Sequence, residues 1–229
     1  METRLQPSLA QDYAVKTPDY YRQPRSEMLP FLPASCHRLL DVGCGNGEFA
    51  VAVKARLHCE TWGIEPDPNS ARQAVGRLDR FFEGCFSPDM DLPAGHFDCI
   101  VFNDVLEHML DPASALRHAR RLLSPKGSVV ASIPNIGHFP TIWNLVMKGQ
   151  WEYVDEGILD RTHLRFFTRS SILSLFERES FHVERIAGIN PFSRGGRSWL
   201  IYRLMSLWPS AGIRDMRYLQ FAIVARLPQ

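Results

Sequence analysis

The sequence predicts an α/β fold, a mostly parallel sheet wound with crossover helices, on three observations. Short apolar runs alternate with helical stretches between residues 38 and 134, as parallel strands joined by crossovers require. The first run, 38–42, ends in a turn carrying Gly43, Gly45 and Gly47 that opens a helix. The pairs Asp67-Pro68 and Asp111-Pro112 each place an N-cap before a proline at the first helical position, which marks two further helix starts.

Taken in order, residues 1–35 contain Pro7, Pro18, Pro24, Pro30 and Pro33, which exclude long regular structure there. This segment reads as a partly helical N-terminal arm whose Tyr13, Tyr20 and Tyr21 either pack over a ligand or stay loose. Residues 36–229 then read as one domain. Its strands fall at 38–42, 61–65, about 80–83 and 97–103, with helices at 48–57, 67–78 and from Asp111 to near residue 123. The turn Ser124-Pro125-Lys126-Gly127 leads into a fifth strand at 128–133, which stops at Pro134. Residues 135–167 interrupt the alternation with Trp143, Trp151, Tyr153, His138 and His163, and this is where an acceptor-site insertion would sit. Thr168 can cap a helix running through residue 175, and 181–187 and 219–226 read as two last strands. The basic stretch between them, 190–217, is a second insertion. There is no internal repeat.

Composition bounds the function. At 45% hydrophobic and 22% charged, the 229 residues can bury a core, which excludes a disordered or collagen-like chain. A net charge of +1 argues against a protein held to nucleic acid by overall charge. The balance hides an asymmetry, because residues 161–229 carry 11 arginines against 4 acidic side chains. That basic third either attracts a phosphate- or carboxylate-bearing partner or is a solvated surface. The five cysteines, Cys36, Cys44, Cys59, Cys85 and Cys99, are odd in number and never spaced C-x-x-C, against a disulfide framework and a zinc site alike. With no signal segment and no run of eighteen apolar residues, the expectation is a cytoplasmic protein in a reducing compartment.

The glycine turn departs from the dinucleotide fingerprint G-x-G-x-x-G, which needs glycine where Glu48 stands. A carboxylate near a helix N-terminus repels a pyrophosphate but not a cationic ligand. Glu65 lies 24 residues beyond Asp41 at the end of the second strand, where a carboxylate can accept from both hydroxyls of a ribose. A nucleoside with a cationic tail and no phosphates matches both features.

The motif Leu40-Asp41-Val42-Gly43-Cys44-Gly45-Asn46-Gly47, with Gly63-Ile64-Glu65-Pro66-Asp67, resembles the class I S-adenosylmethionine-dependent methyltransferases. Residues 97–108, ending Asn103-Asp104-Val105-Leu106-Glu107-His108, are similar to that family's fourth strand and the segment after it. Leu122-Leu123-Ser124-Pro125-Lys126-Gly127-Ser128 is similar to its turn into the fifth. The resemblance covers about residues 36–190. It implies a three-layer α/β/α Rossmann-like fold with a seven-stranded sheet whose last strand is antiparallel, and S-adenosylmethionine as methyl donor. It also implies donor contacts from Asp41, Gly43, Cys44, Gly45, Gly47, Glu65, Pro66, Asn103, Val105 and His108. His108 alternatively serves packing or the start of a helix. After the third strand the family often has an aspartate for the adenine amine; this chain has Gly84-Cys85-Phe86, so backbone groups near Cys85 and Phe86 take that place.

Methyl transfer needs alignment of the acceptor and exclusion of water, and it requires no metal. A hydroxyl acceptor must also lose a proton, whereas an uncharged amine attacks directly. His138 and His163 are the candidate bases, with Asp160 either orienting a histidine or accepting from the acceptor; His163 alternatively holds its loop to the sheet. The stretch 157–168 resembles a segment of methyltransferases found alongside bacterial sugar and polysaccharide enzymes, which implies O-methylation of a sugar or glycan intermediate. Alternatives are a small aromatic or amine metabolite stacked on the tryptophans, and a non-catalytic S-adenosylmethionine-binding module. Positions 200, 201, 204, 205 and 208 form an apolar helical stripe beside Arg194, Arg197 and Arg203. It covers the acceptor pocket, forms a homodimer surface, or meets a membrane surface through 194–208.

Overall fold

The computed structural model describes residues 24–193 and 195–228, so the arm up to residue 23 and Arg194 lie outside the described residues. Seven strands form one sheet in the order β3-β2-β1-β4-β5-β7-β6. They are β1 (Arg38–Val42), β2 (Glu60–Glu65), β3 (Arg80–Glu83), β4 (Phe97–Asn103), β5 (Leu123–Pro134), β6 (His182–Pro191) and β7 (Tyr218–Arg226). The first five pair in parallel, and β7 runs antiparallel between β5 and β6. The sheet expected from the resemblance is thus present, with its antiparallel last strand. Strand order reverses between β1 and β4, and a crevice opens beyond the carboxyl ends of strands at such a point.

Helices α1 (Glu48–Leu57), α2 (Pro68–Ala74), α3 (Pro112–Leu122) and α5 (Arg169–Arg178) are crossovers, and α4 (Phe139–Lys148), α6 (Gly196–Met205) and α7 (Ala211–Asp215) fill the insertions. Local chemistry explains the starts. The Asp67 carboxylate accepts from the Ser70 amide at 2.8 Å and that of Asp111 from the Ser114 amide at 3.0 Å, caps worth about 0.5–2 kcal/mol each. Thr168 and Ser171 form a reciprocal capping box on α5.

Several boundaries differ from the sequence reading, and β6 runs on to Pro191 beyond the expected end at 187. Helix α2 stops at Ala74 because Gly76 turns left-handed at φ 83° and Arg77 leaves the helix to donate to the Asn46 carbonyl at 2.7 Å. The expected turn Ser124 to Gly127 is absorbed into β5, where Leu123 already pairs with Phe97 across an irregular register. Within 135–167, the ten-residue α4 was not foreseen; Pro140 sits in its first turn, and only Phe139 is buried.

The core lies on both sheet faces. Leu40, Ile64, Ile100, Phe102, Leu116, Phe176 and Phe221 pack on one, and Leu39, Val53, Cys99, Val101 and Val130 on the other. Met28 and Phe31, from a 3-10 turn at Ser26–Phe31, are buried in the second cluster, so the end of the expected arm belongs to the packed core. Helix α6 docks through Tyr202, whose ring meets Phe139 and Phe192, and leaves Leu200, Leu204, Met205 and the following Trp208 exposed. The apolar stripe therefore faces outward. No helix among the described residues is long and apolar enough to cross a membrane.

Candidate active site

A cleft of about 1040 Å³ opens at the carboxyl ends of β1, β2 and β4. Its first half is built by the glycine loop. Gly43, Gly45 and Gly47 all have positive φ, between 54° and 82°, and the Gly43 and Cys44 amides donate to the Ile64 carbonyl at 2.8 and 3.1 Å. A Cβ at Gly43 would lie 2.6 Å from a methyl of Val105, so both the backbone angle and the space demand glycine. Gly47 does not line the cleft. It is the left-handed N-cap of α1 and lets that helix pack on Leu78 and Ala74.

Two carboxylates stand side by side behind this loop. Glu65 is 5% exposed and accepts from the Gly45 amide through Oε2 and the Asp67 amide through Oε1, both at 2.8 Å. Burial pushes its carboxyl up to about 7, against the pull of those two amides. Asp41 is 2% exposed, its Oδ2 has no hydrogen-bond partner, and burial with the nearby Glu65 charge pushes it up to about 8. Neither forms an ion pair among the described residues. A cationic ligand would favour ionisation of both, and the orphaned Asp41 oxygen and the closely approachable Gly43 backbone fit the sulfonium donor. Cys44, Pro66, Cys85, Phe86, Asn103 and Val105 line the same half. Phe86 is held edge-on to Phe102 and lies 4.7 Å from the His118 ring, between centroids.

The other half gathers histidines. His108, in a 3-10 turn at Leu106–His108 after β4, meets the Thr162 carbonyl through Nδ1 at 3.0 Å, and its ring lies 4.6 Å from that of His163. His163 meets the Ile158 carbonyl through Nδ1 at 2.9 Å and sets Nε2 3.9 Å from Glu107 Oε1. Glu107 is 1% exposed, neither of its carboxylate oxygens has a hydrogen-bond partner, and burial, then the Asp104 charge, drives its carboxyl far above the usual range. The Glu107 carbonyl accepts from the Leu164 and Arg165 amides at 2.8 and 3.0 Å, which clamps the 157–165 loop onto the turn after β4. Asp160 tightens that loop. Its Oδ1 accepts from the Thr162 amide at 2.9 Å and the Thr162 hydroxyl at 2.7 Å.

Of the expected bases, His163 and Asp160 line the cleft and His138 does not. His138 precedes α4, packs against Phe192 and is pushed down to about 4 by burial. Trp143 and Trp151 also lie outside the lining and pack on Phe139 and Phe166.

The cleft floor holds a network that local reading missed. Asp104 adopts a left-handed φ of 53° and takes an ion pair from Arg25, a hydrogen bond from the Ser132 hydroxyl at 2.8 Å, and two from the Gln220 amide at 2.8 and 2.9 Å. Asn190 in turn donates to Gln220 at 2.8 Å. Glu107 was visible only as part of the segment after the fourth strand. Arg25, Asp104 and Gln220 come from three distant stretches with no shared local signal.

Comparison with known proteins places this geometry. A methyltransferase domain family matches residues 13–186. The chain is 32% identical over 169 residues to a ubiquinone biosynthesis O-methyltransferase of Pseudomonas aeruginosa, covering 69% of this chain and 70% of that protein. It is 28% identical over 194 residues to the protein of that name in Cereibacter sphaeroides, covering 81% and 72%. In fold it is similar to a SAM dependent methyltransferase from Archaeoglobus fulgidus, with a TM-score of 0.62 at 17% identity over 95% of this chain and 98% of that one.

Proposed function

Because the chain belongs to the methyltransferase domain family and is an S-adenosylmethionine-dependent methyltransferase, we propose that it methylates a hydroxyl on an aromatic-ring acceptor. In this reading Asp41, Glu65 and the glycine loop hold the donor, while Glu107, His108 and His163 handle the acceptor's proton. S-adenosylmethionine supplies a methyl carbon already activated by positive sulfur.

The observation that carries the reading is that the Glu107, His108 and His163 cluster opens into the same cleft as Asp41 and Glu65. A histidine held by Nδ1 to a carbonyl presents its basic lone pair at Nε2, where it can take the proton that a hydroxyl acceptor must lose. An amine acceptor would not need such a group. The cleft is at the top of the range of about 300–1,000 Å³ for one small-molecule site, which supports room for two ligands. Met109, Leu110, Ile158 and Leu164 give its acceptor side an apolar wall, which suits a flat ring better than a sugar. The relatives named above carry oxygen methylation and ubiquinone biosynthesis in their names, not sugar or glycan modification. The loop 156–164 on this wall supports the reading of 135–167 as an acceptor-side insertion.

The test is incubation with labelled methyl donor and three acceptor panels, phenols and catechols, sugars, and amines. Transfer to the hydroxyl of an aromatic ring is expected. Transfer confined to sugars or amines overturns the acceptor assignment and leaves the donor half standing.

A further inference from the structure

We propose that His118 recognises the adenine base of the donor by accepting a hydrogen bond from the amine on its ring. The inference rests on the reading of Asp41, Glu65 and the glycine loop as the donor half of the cleft.

Sheet order sets where the base lies. A ribose held at Glu65 by its two hydroxyls carries base and tail on the two carbons that flank its ring oxygen, so the two leave in opposite directions. Asp41 and the glycine loop stand at the end of β1, on one side of Glu65, and suit the cationic tail. The other side belongs to β3. Its Glu83 pairs in register with Glu65, and the next residue, Gly84, donates its amide to the Glu65 carbonyl at 3.0 Å. The base therefore falls beside residues 84–88, which line the cleft and carry no carboxylate to accept from its amine.

His118 meets this wall from α3. Its ring lies 4.7 Å from that of Phe86 between centroids, tilted by 43°, and Phe102 braces Phe86 edge-on from behind. Helix α3 lines the cleft through Ser114, Ala115 and His118, one turn apart on one face. The neighbours of His118 on that buried face are Ala115, Ala119 and Leu122, so a polar ring there is out of pattern. His118 is 4% exposed, and neither of its ring nitrogens has a hydrogen-bond partner among the described residues. Such a ring has given up its bonds to water with nothing in exchange, a loss that a ligand between α3 and residues 84–88 makes good. Burial, then the Arg121 charge, pushes His118 below the usual histidine range, which keeps it neutral at neutral pH. A neutral imidazole has one nitrogen without a proton, and that nitrogen accepts from an amine; an imidazolium has none. Leucine would fill the same core space but accept nothing, which separates recognition from packing.

The experiment uses the full chain and two ligands, S-adenosylhomocysteine and its analogue with hydrogen in place of the adenine amine, titrated calorimetrically into the parent protein, His118→Leu and Glu65→Ala. Melting curves are read on every sample. The parent should bind S-adenosylhomocysteine about tenfold tighter than the analogue, and folded His118→Leu should bind the two within about twofold of each other. A parent that does not distinguish the ligands, or a folded His118→Leu that distinguishes them as the parent does, overturns the role of His118. If His118→Leu does not fold, the ring-nitrogen NMR resonances of His118, assigned with His118→Gln, decide. A shift with S-adenosylhomocysteine that the analogue does not produce supports the contact, and the same response to both ligands overturns it. Unchanged affinity in Glu65→Ala beside lost discrimination in His118→Leu overturns the assignment of Glu65 and leaves His118 standing.

Discussion

The backbone N–H of Gly45 donates a 2.8 Å hydrogen bond to Oε2 of Glu65, which ties the loop at the end of β1 to the tip of β2. Glu65 therefore holds the glycine loop in place, and in the proposed reading it also faces the donor. Replacing Glu65 with Ala should weaken S-adenosylhomocysteine binding by roughly 1.5–3 kcal/mol, the range for a lost hydrogen bond to a charged group. Calorimetric titration measures this directly, and an unchanged Kd removes Glu65 from the donor site.

If Asp41 and Glu65 hold the donor as proposed, donor binding depends on pH. In the ligand-free protein burial raises them to about 8 and about 7, so they keep protons that the unfolded chain releases near pH 4. Their contribution to stability is complete below pH 4 and is lost as pH rises through 7 and 8. A cationic donor favours the ionised pair, so binding should release protons and strengthen between pH 6 and 8.5. Titration at pH 6.5 in buffers of different ionisation heat should show net release in the parent protein and less in Asp41→Asn. Proton uptake would contradict the assignment.

For the histidine cluster, His163→Ala should lower single-turnover rate by about 10²–10⁴ while donor affinity stays nearly unchanged, because the cluster acts on the acceptor and not on the bound sulfonium. A histidine that only holds the loop would instead lower stability and ligand binding together. Melting curves beside the rates distinguish the two.

His138 should behave in the opposite way. Burial pushes it down to about 4, so it stays neutral in the fold while the unfolded chain takes up a proton near pH 6.5. Stability should therefore fall as pH drops from about 6.5 toward 4. His138→Leu should flatten that fall in Tm and leave kcat within about twofold. A large loss of turnover in a folded variant would return His138 to the chemistry.

Arg25 ties the chain before the first strand to the cleft floor through Asp104 and Ser132. Arg25→Met should cost about 1–3 kcal/mol, less than a fully buried pair because the Asp104 side chain is 28% exposed. At roughly 2–4 °C per kcal/mol, differential scanning calorimetry should show a Tm lower by about 2–12 °C. An unchanged Tm would show that the network does not support the floor.

The elements of the sheet's parallel half were readable because their signals are local. An apolar run ends at Val42, glycines supply the positive φ that follows, and Asp67 and Asp111 cap helices with oxygens three residues from the amides they accept. The half of the cleft proposed for the donor rests on equally local signals, since Asp41 and Glu65 lie at or next to the ends of adjacent strands. The half proposed for the acceptor depended on long-range packing. His163 lies 55 residues beyond His108, and only the clamp from the Glu107 carbonyl to the loop amides brings them together. Nothing in spacing distinguishes His163 from His138, yet the fold turns one into the cleft and packs the other on Phe192. Arg25, Asp104 and Gln220 likewise meet because β7 inserts between β5 and β6. Turn and capping chemistry acts over a few residues, and so is written in sequence order. A cleft is written in the distances left after burial of the core has chosen which distant segments touch.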